Sequence, residues 1–151
     1  MKLIFTKGAD KYDQLVIHRD DTSPQIIDCP KQGIIPHDMV HYAVENTLNK
    51  RGFVVQAIEN ELPDSLTEYD DESNGVERLV EVFQADGWSG WSSEPATLLD
   101  LYQVTCNARR CEPLNLQEHD IEAVRQNILQ LTQLWQPIAV GESLELTLEH
   151  L

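Results

Sequence analysis

The sequence predicts an α+β fold in which a small antiparallel sheet packs against four or five helices. Three observations lead to this prediction. Before residue 30, short β-prone runs alternate with turn residues. From residue 36 apolar residues recur at helical spacing, and near residue 142 a period of two returns. A C-terminal strand needs a partner, so we expect it to join the three N-terminal strands in one sheet.

The first three predicted strands are short and closely linked. They are KLIFT at residues 2–6, YDQLVIHR at 12–19 and PQIIDCP at 24–30. In the second strand Leu15 and Ile17 fall on one face, as expected where one face is buried. The linking segments are rich in Gly, Asp, Ser and Pro, which favours tight turns and an antiparallel meander. The fourth predicted strand, at residues 143–149, alternates leucine with polar residues.

Helices are predicted between these strands. Pro36 suits the first turn of a helix, because a missing N–H costs nothing there, and Gly52 ends or interrupts this helix. Residues 53–60 fit a helix or a strand, and Ala, Gln and Glu after the β-branched pair favour a helix. Asn74 followed by Glu77, and Asn115 followed by Glu118, have the spacing of a capping box at a helix start.

Two later helices are also predicted. One helix is expected to follow Ser93 and Pro95. The longest is expected to end at Pro137 and carries the stripe Ile121, Val124, Ile128, Leu131 and Trp135.

Composition indicates one acidic globular domain over residues 1–151. Hydrophobic residues make up 41% and the net charge is −15, which repels nucleic acid and anionic membranes. No apolar run reaches the length of a membrane span, and the start lacks the features of a signal peptide. Three cysteines argue against a disulfide framework. A cytoplasmic location is therefore expected.

The stretch IIPHDMVHYAVE at residues 34–45 carries the candidate functional residues. His37 and His41 are four residues apart, a spacing at which two histidines on one helix can bind a divalent ion such as zinc. Asp38 stands where helical zinc peptidases have a glutamate base, but its shorter side chain would be set back from a metal-bound water. The alternative is a polar helix face on which His41 pairs with Glu45.

A metal site on this helix needs a further ligand. Glu45 lies ~12 Å along the axis from His37, too far to bind the same ion comfortably, and would instead orient His41. The third ligand would come from elsewhere, with His119 as the leading candidate and His18 or a glutamate as alternatives. Asp38 would hydrogen-bond near the site or act as the base.

Two other segments suggest binding. Trp88 and Trp91 lie in the Gly/Ser-rich stretch DGWSGWSS, where aromatic residues can contact a partner or fold back over the core. Residues 70–81 nearly fit a calcium loop, although Arg78 stands where an oxygen ligand is usual, so an acidic turn is the better interpretation.

The motif IPHDMVHYAVE, after short strands and before Gly-Phe, resembles a family of small uncharacterised bacterial proteins with a PHDxxHxxVE helix. The resemblance covers residues 1–55 and the terminal GESLEL. It implies a bacterial, cytosolic protein and brings no activity. Because no complete catalytic set can be assembled, the leading hypothesis is a non-catalytic binding or accessory protein for an unknown protein or small ligand. The alternative is a divalent-metal-binding protein or metal-dependent hydrolase.

Overall fold

The computed structural model describes residues 2–18, 23–58 and 71–148. These residues form four strands and five helices, which confirms the predicted α+β class. The strands are β1 (Lys2–Thr6), β2 (Tyr12–His18), β3 (Gln25–Pro30) and β4 (Ser143–Thr147). The helices are α1 (His37–Leu48), α2 (Phe53–Ile58), α3 (Asp71–Trp88), α4 (Pro95–Ala108) and α5 (Glu118–Trp135).

The four strands form one antiparallel sheet in the order β3-β2-β1-β4. Strand β1 lies between β2 and β4, with Leu3 opposite Ile17 on one side and Leu146 on the other. The predicted meander and the predicted meeting of the two chain ends are both confirmed. Alternation places Leu3, Leu15 and Ile17 on the buried face, where they contribute to the core.

The helices cover this buried face and complete the core. Helix α1 contacts β3, α2, α3 and α5, so it is the element around which the others pack. Helix α3 buries the apolar stripe Val76, Leu79, Val80 and Phe83, and the predicted residues of α5 are also buried. Among the described residues, none of the helices combines the length and apolar character needed to cross a bilayer.

Both predicted capping boxes are wrong in position. Asn74 lies inside α3, which is already helical at Asp71, so Asn74 cannot be its cap. Helix α5 begins after Gln117 rather than Asn115, and the Gln117 amide donates to Asp120 Oδ2 at 2.9 Å. Helical geometry also rules out a calcium loop over residues 71–81, because a loop must fold its ligands around one ion. Asp70 lies outside the described residues.

The region around α1 and α2 agrees better with the prediction. Pro36 precedes the first helical residue, His37, one position earlier than expected. Residues 53–58 are helical, as favoured, whereas residues 59–60 lie outside the described residues. Between the two helices, Asn49 adopts a left-handed conformation with φ 54° and ends α1.

Candidate metal centre

His37 and His41 lie one turn apart on α1 and their rings meet edge to face, with centroids 4.8 Å apart. The helix begins directly after Pro36, whose carbonyl accepts from the amides of Met39 and Val40. His37 is therefore in the first turn and partly exposed, whereas His41 is buried in the second turn. The predicted pairing of two histidines on one helix face is confirmed.

Glu77 on α3 reaches both imidazole rings. Its Oε2 lies 2.8 Å from His41 Nε2, and its Oε1 lies 3.5 Å from His37 Nε2. The Glu77 side chain is one third exposed, so this carboxylate lies at the edge of the core. His37 Nδ1 also hydrogen-bonds to Gln84 Oε1, one helical heptad beyond Glu77. Two residues of α3 thus orient the first histidine.

Glu45 holds the opposite side of the His41 ring. Its Oε2 is 3.0 Å from His41 Nδ1, as predicted for residues four apart on a helix. The same carboxylate accepts from the amides of Gly52, Val54 and Val55 at 2.9–3.1 Å. It is fully buried and caps the start of α2, where the free amides of a helix favour negative charge. This second role of Glu45 was not predicted.

Gly52 makes the approach of the Glu45 carboxylate possible. A Cβ atom at this position would lie 2.8 Å from Glu45 Cδ and 2.7 Å from Val76 Cγ1. Both distances are shorter than van der Waals contact allows. Glycine is therefore required by close packing between the α1–α2 junction and α3.

The two carboxylates control the charge of His41. Burial alone would lower the pKa of this imidazole, but hydrogen bonds to Glu45 and Glu77 outweigh it and raise the pKa to about 10. Burial opposes ionisation of Glu77, yet its contacts with His37 and His41 hold its pKa well below the usual range. For His37, burial is likewise outweighed by Glu77, so its pKa is raised. Without a metal, a positive His41 imidazole lies between the carboxylates of Glu45 and Glu77.

Three atoms of this cluster could bind one metal ion. One ligand atom each from His37, His41 and Glu77 lies within 4.8 Å of the others. In a tetrahedral zinc site with bonds near 2.1 Å, ligand atoms are ~3.4 Å apart, so small side-chain shifts would suffice. Glu45 would accept the His41 Nδ1–H, a contact that fixes the tautomer and orientation of a metal-binding histidine.

Asp38 does not join this cluster. It is buried against β3, where its Oδ2 accepts from the Cys29 thiol at 3.4 Å. Burial and the nearby Asp38 charge hold the pKa of Cys29 far above its usual range, so this cysteine stays a thiol. The geometry gives no support to Asp38 as a general base.

The other candidate ligands also lie elsewhere. The His119 side chain is 76% exposed at the start of α5 and lies 3.4 Å from Asp120, while His18 is exposed at the end of β2. The side chain that joins His37 and His41 is a glutamate, Glu77, instead of His119 or His18.

The two tryptophans have different surroundings. Trp88 ends α3, is 58% exposed and donates from its indole N–H to the Gln32 carbonyl at 2.8 Å. Trp91 packs against the core, and a Cβ on Gly87 would lie only 2.6 Å from its ring. Trp91 therefore folds back over the core, and Trp88 alone offers a large exposed surface in this segment.

Glu77 was missed as a ligand because it was interpreted as half of a capping box. A signal was nevertheless present. Glu77 and Gln84 are seven residues apart, so they share one face of α3 beside the stripe of Val76, Val80 and Phe83. Polar residues beside an apolar stripe face the helix that packs against it. The sequence does not reveal that α1 is the helix that packs against α3.

The chain matches no protein-family profile, no curated protein and no solved structure. The resemblance to small bacterial proteins with a PHDxxHxxVE helix therefore stays a prediction. The same holds for bacterial origin, cytoplasmic location and a single domain over residues 1–151.

Proposed function

We propose that this protein binds a divalent transition-metal ion through His37, His41 and Glu77. The observation that carries the proposal is the meeting of three ligand atoms from two helices within 4.8 Å. His41 is buried, and burying a charged group is unfavourable unless it is paired or, once deprotonated, coordinates a metal. The orientation of His41 by Glu45 adds the outer hydrogen bond that metal-binding histidines usually have.

The ligand set favours zinc, with iron(II) or manganese(II) as competitors. Imidazole nitrogen is a borderline donor and carboxylate oxygen is a hard one, and this mixture suits these ions. Three protein ligands leave at least one coordination position for water or a small anion. Because His37 and Glu77 are each about one third exposed, that position would face solvent.

A binding or accessory role is favoured over hydrolysis. Metal-dependent hydrolases often place a carboxylate base near the metal-bound water. Asp38, the residue expected to supply it, contacts Cys29, and Glu45 is fully buried behind His41. The proposal is therefore a non-catalytic metal-binding protein.

The direct test is metal analysis of protein purified without an affinity tag. We expect near-stoichiometric zinc, iron or manganese, or uptake of added zinc at one ion per chain. Glu77→Gln and His41→Gln should each lose this ion, because each removes a ligand. His119→Gln is the matched control and should retain it, since His119 lies at the surface of α5. Wild-type protein that neither contains nor takes up zinc would end the proposal.

The pH dependence of zinc affinity provides a second test. His41 Nε2 must lose its proton to bind a metal, and the pKa of His41 is about 10. Zinc affinity should therefore rise about tenfold for each pH unit between 6 and 9, with release of at least one proton. Calorimetry in two buffers of different ionisation enthalpy measures that proton. A pH-independent affinity would contradict coordination by His41.

A second candidate function is a protein contact through Trp88. Its 58% exposure is unusual for tryptophan, a residue enriched at binding interfaces. We expect Trp88→Ala to lose a partner captured by the wild type, while the folded-back Trp91 is needed for stability instead. Equal recovery of that partner by wild type and Trp88→Ala would argue against this surface.

A further inference from the structure

The C-terminal end of α4 brings two cysteines together. Arg110 is left-handed, with φ 54°, the Cys111 amide donates to the Cys106 carbonyl at 3.0 Å, and the Arg110 amide donates to Asn107 at 3.2 Å. This pair of hydrogen bonds is a Schellman motif, in which the side chains at the positions of Cys106 and Cys111 usually pack together. The five-residue spacing, which fits neither one helix face nor a metal knuckle, is explained by this turn.

The backbone distance is compatible with a disulfide. Cys111 N is 3.0 Å from Cys106 O. Cys111 N is ~1.5 Å from its own Cα and Cys106 O is ~2.4 Å from its own Cα, so the two Cα atoms lie at most ~7 Å apart. Disulfides span Cα distances of ~4.4–6.8 Å. The motif and the contact between the two thiols therefore bring the cysteines close to the distance that a disulfide needs.

The two thiols differ in exposure, and this difference determines which of them an external reagent meets first. Cys106 is fully buried and its thiol interacts with the thiol of Cys111 and the hydroxyl of Tyr102. Cys111 is partly exposed. Burial, followed by the interaction with Cys111, raises the pKa of Cys106 to about 11, while the nearby Arg78 guanidinium acts in the opposite direction. An external reagent reaches Cys111 first.

We propose that Cys106 and Cys111 form an intramolecular disulfide when the protein meets a small-molecule disulfide such as glutathione disulfide. The Cys111 thiolate attacks one glutathione sulfur, and a glutathione thiolate leaves. Cys106 then loses its proton to solvent, and its sulfur attacks Cys111 Sγ and displaces the second glutathione. Overall, two protein thiols are oxidised and one glutathione disulfide is reduced to two glutathione thiols.

The bond would fix the start of the α4–α5 connection, next to a hydrogen-bonded bridge from Tyr102 to α3. The Tyr102 hydroxyl donates to the Gly75 carbonyl and accepts from the Leu114 amide, both at 2.9 Å. A disulfide beside this bridge ties the start of the α4–α5 connection to α4. Amide exchange at Leu114 should therefore slow on oxidation.

The test is intact-mass analysis of full-length, metal-free protein treated with glutathione disulfide at pH 8. We expect a loss of two hydrogens and no glutathione adduct, with one thiol left for alkylation after unfolding. Peptide mapping should place that thiol at Cys29, which is buried against Asp38 and serves as the internal control. A stable adduct on Cys111, a disulfide that includes Cys29, or no reaction in wild type would each overturn the proposal.

Two variants separate the steps. Cys106→Ala should stop at a glutathione adduct on Cys111, because the resolving thiol is missing. Cys111→Ser, at a partly exposed position, should leave Cys106 reduced, and circular dichroism checks that both variants fold. Formation of the adduct on Cys106 in Cys111→Ser would contradict the assigned order of attack.

Discussion

Two carboxylates contact the same imidazole from opposite sides, and their surroundings assign them different roles. Glu45 is fully buried at the α1–α2 junction and accepts from three amides as well as from His41. Glu77 on α3 is one third exposed and contacts the two histidine side chains. The inner carboxylate is part of the fold, whereas the outer one is the proposed metal ligand.

This difference shows why a polar row on a helix cannot be judged from one helix alone. Glu45 and His41 form the pair predicted from their spacing, yet the pair is buried because α2 and α3 cover it. Had α2 not supplied amides to Glu45, burying this carboxylate would be strongly unfavourable. The site depends on a junction that the sequence marks only by Gly52.

The largest expected effect is a difference in stability when each of the two carboxylates is replaced by glutamine. Glu45→Gln leaves fewer acceptors for three buried amides and removes the charge facing His41, so we expect a loss of about 4 kcal/mol in the free energy of unfolding. Glu77→Gln should cost only about 1 kcal/mol, because solvent replaces part of its contacts. Urea unfolding of metal-free protein measures both. Equal losses would show that the inner carboxylate has no special structural role.

The next effect is the pH dependence of stability in metal-free protein. His41 has a folded pKa of about 10 against an ordinary 6.5, so its favourable contribution is complete below pH 6.5 and is lost as pH rises towards 10. The Glu77 contribution, with its lowered pKa, is complete above pH 4.5 and is lost as pH falls below that value. We expect a decline of about 3 kcal/mol between pH 6.5 and 10.

The His41→Gln variant is the control for this alkaline decline. It cannot carry the imidazolium charge, so its stability should change little over the same range. Glu77→Gln should keep part of the decline, because Glu45 still holds the pKa of His41 up. A decline of the same size in His41→Gln would assign it to other groups.

A smaller loss of stability is expected when Gly52, which lets the Glu45 carboxylate approach α2, is replaced by alanine. In Gly52→Ala the added Cβ meets Glu45 and Val76 at less than 3 Å, so the junction must shift and we expect a loss of about 2 kcal/mol. Thermal unfolding measures this loss, and Ala85→Gly at an exposed position of α3 is a control for a one-carbon change, at about 1 kcal/mol. Wild-type stability in Gly52→Ala would show that the junction is loosely packed.

The sequence predicted much of the fold, because alternation and helical spacing directly encode which faces are buried. Strand β4 is an example, since its alternating leucines required a partner at the other end of the chain. The helix starts were less predictable. Asn74 and Asn115 had suitable spacings, but capping patterns also occur inside and before helices, and tertiary packing decides which residue begins the helix.

The site was predictable only within one helix. His37, His41 and the His41–Glu45 pair follow from the geometry of α1. Glu77 could not be assigned, because its meeting with His41 depends on how α3 packs on α1, a contact between residues 36 positions apart. His119 lies at the exposed start of α5 beside Asp120, since residue type alone does not bring a side chain to a site.

The smallest expected effect is the response of the two carboxylates to salt. The contact of Glu77 with His37 spans 3.5 Å between side chains that are each about one third exposed, so dissolved ions screen it. Glu45 is enclosed by the amides of the α2 start and should be insensitive. In 0.5 M NaCl, we expect the destabilisation caused by Glu77→Gln at pH 6 to shrink by about 0.3 kcal/mol, with no change for Glu45→Gln. Urea titrations at both salt concentrations measure this difference, and a larger response for Glu45→Gln would reverse the assignment of the inner and outer carboxylates.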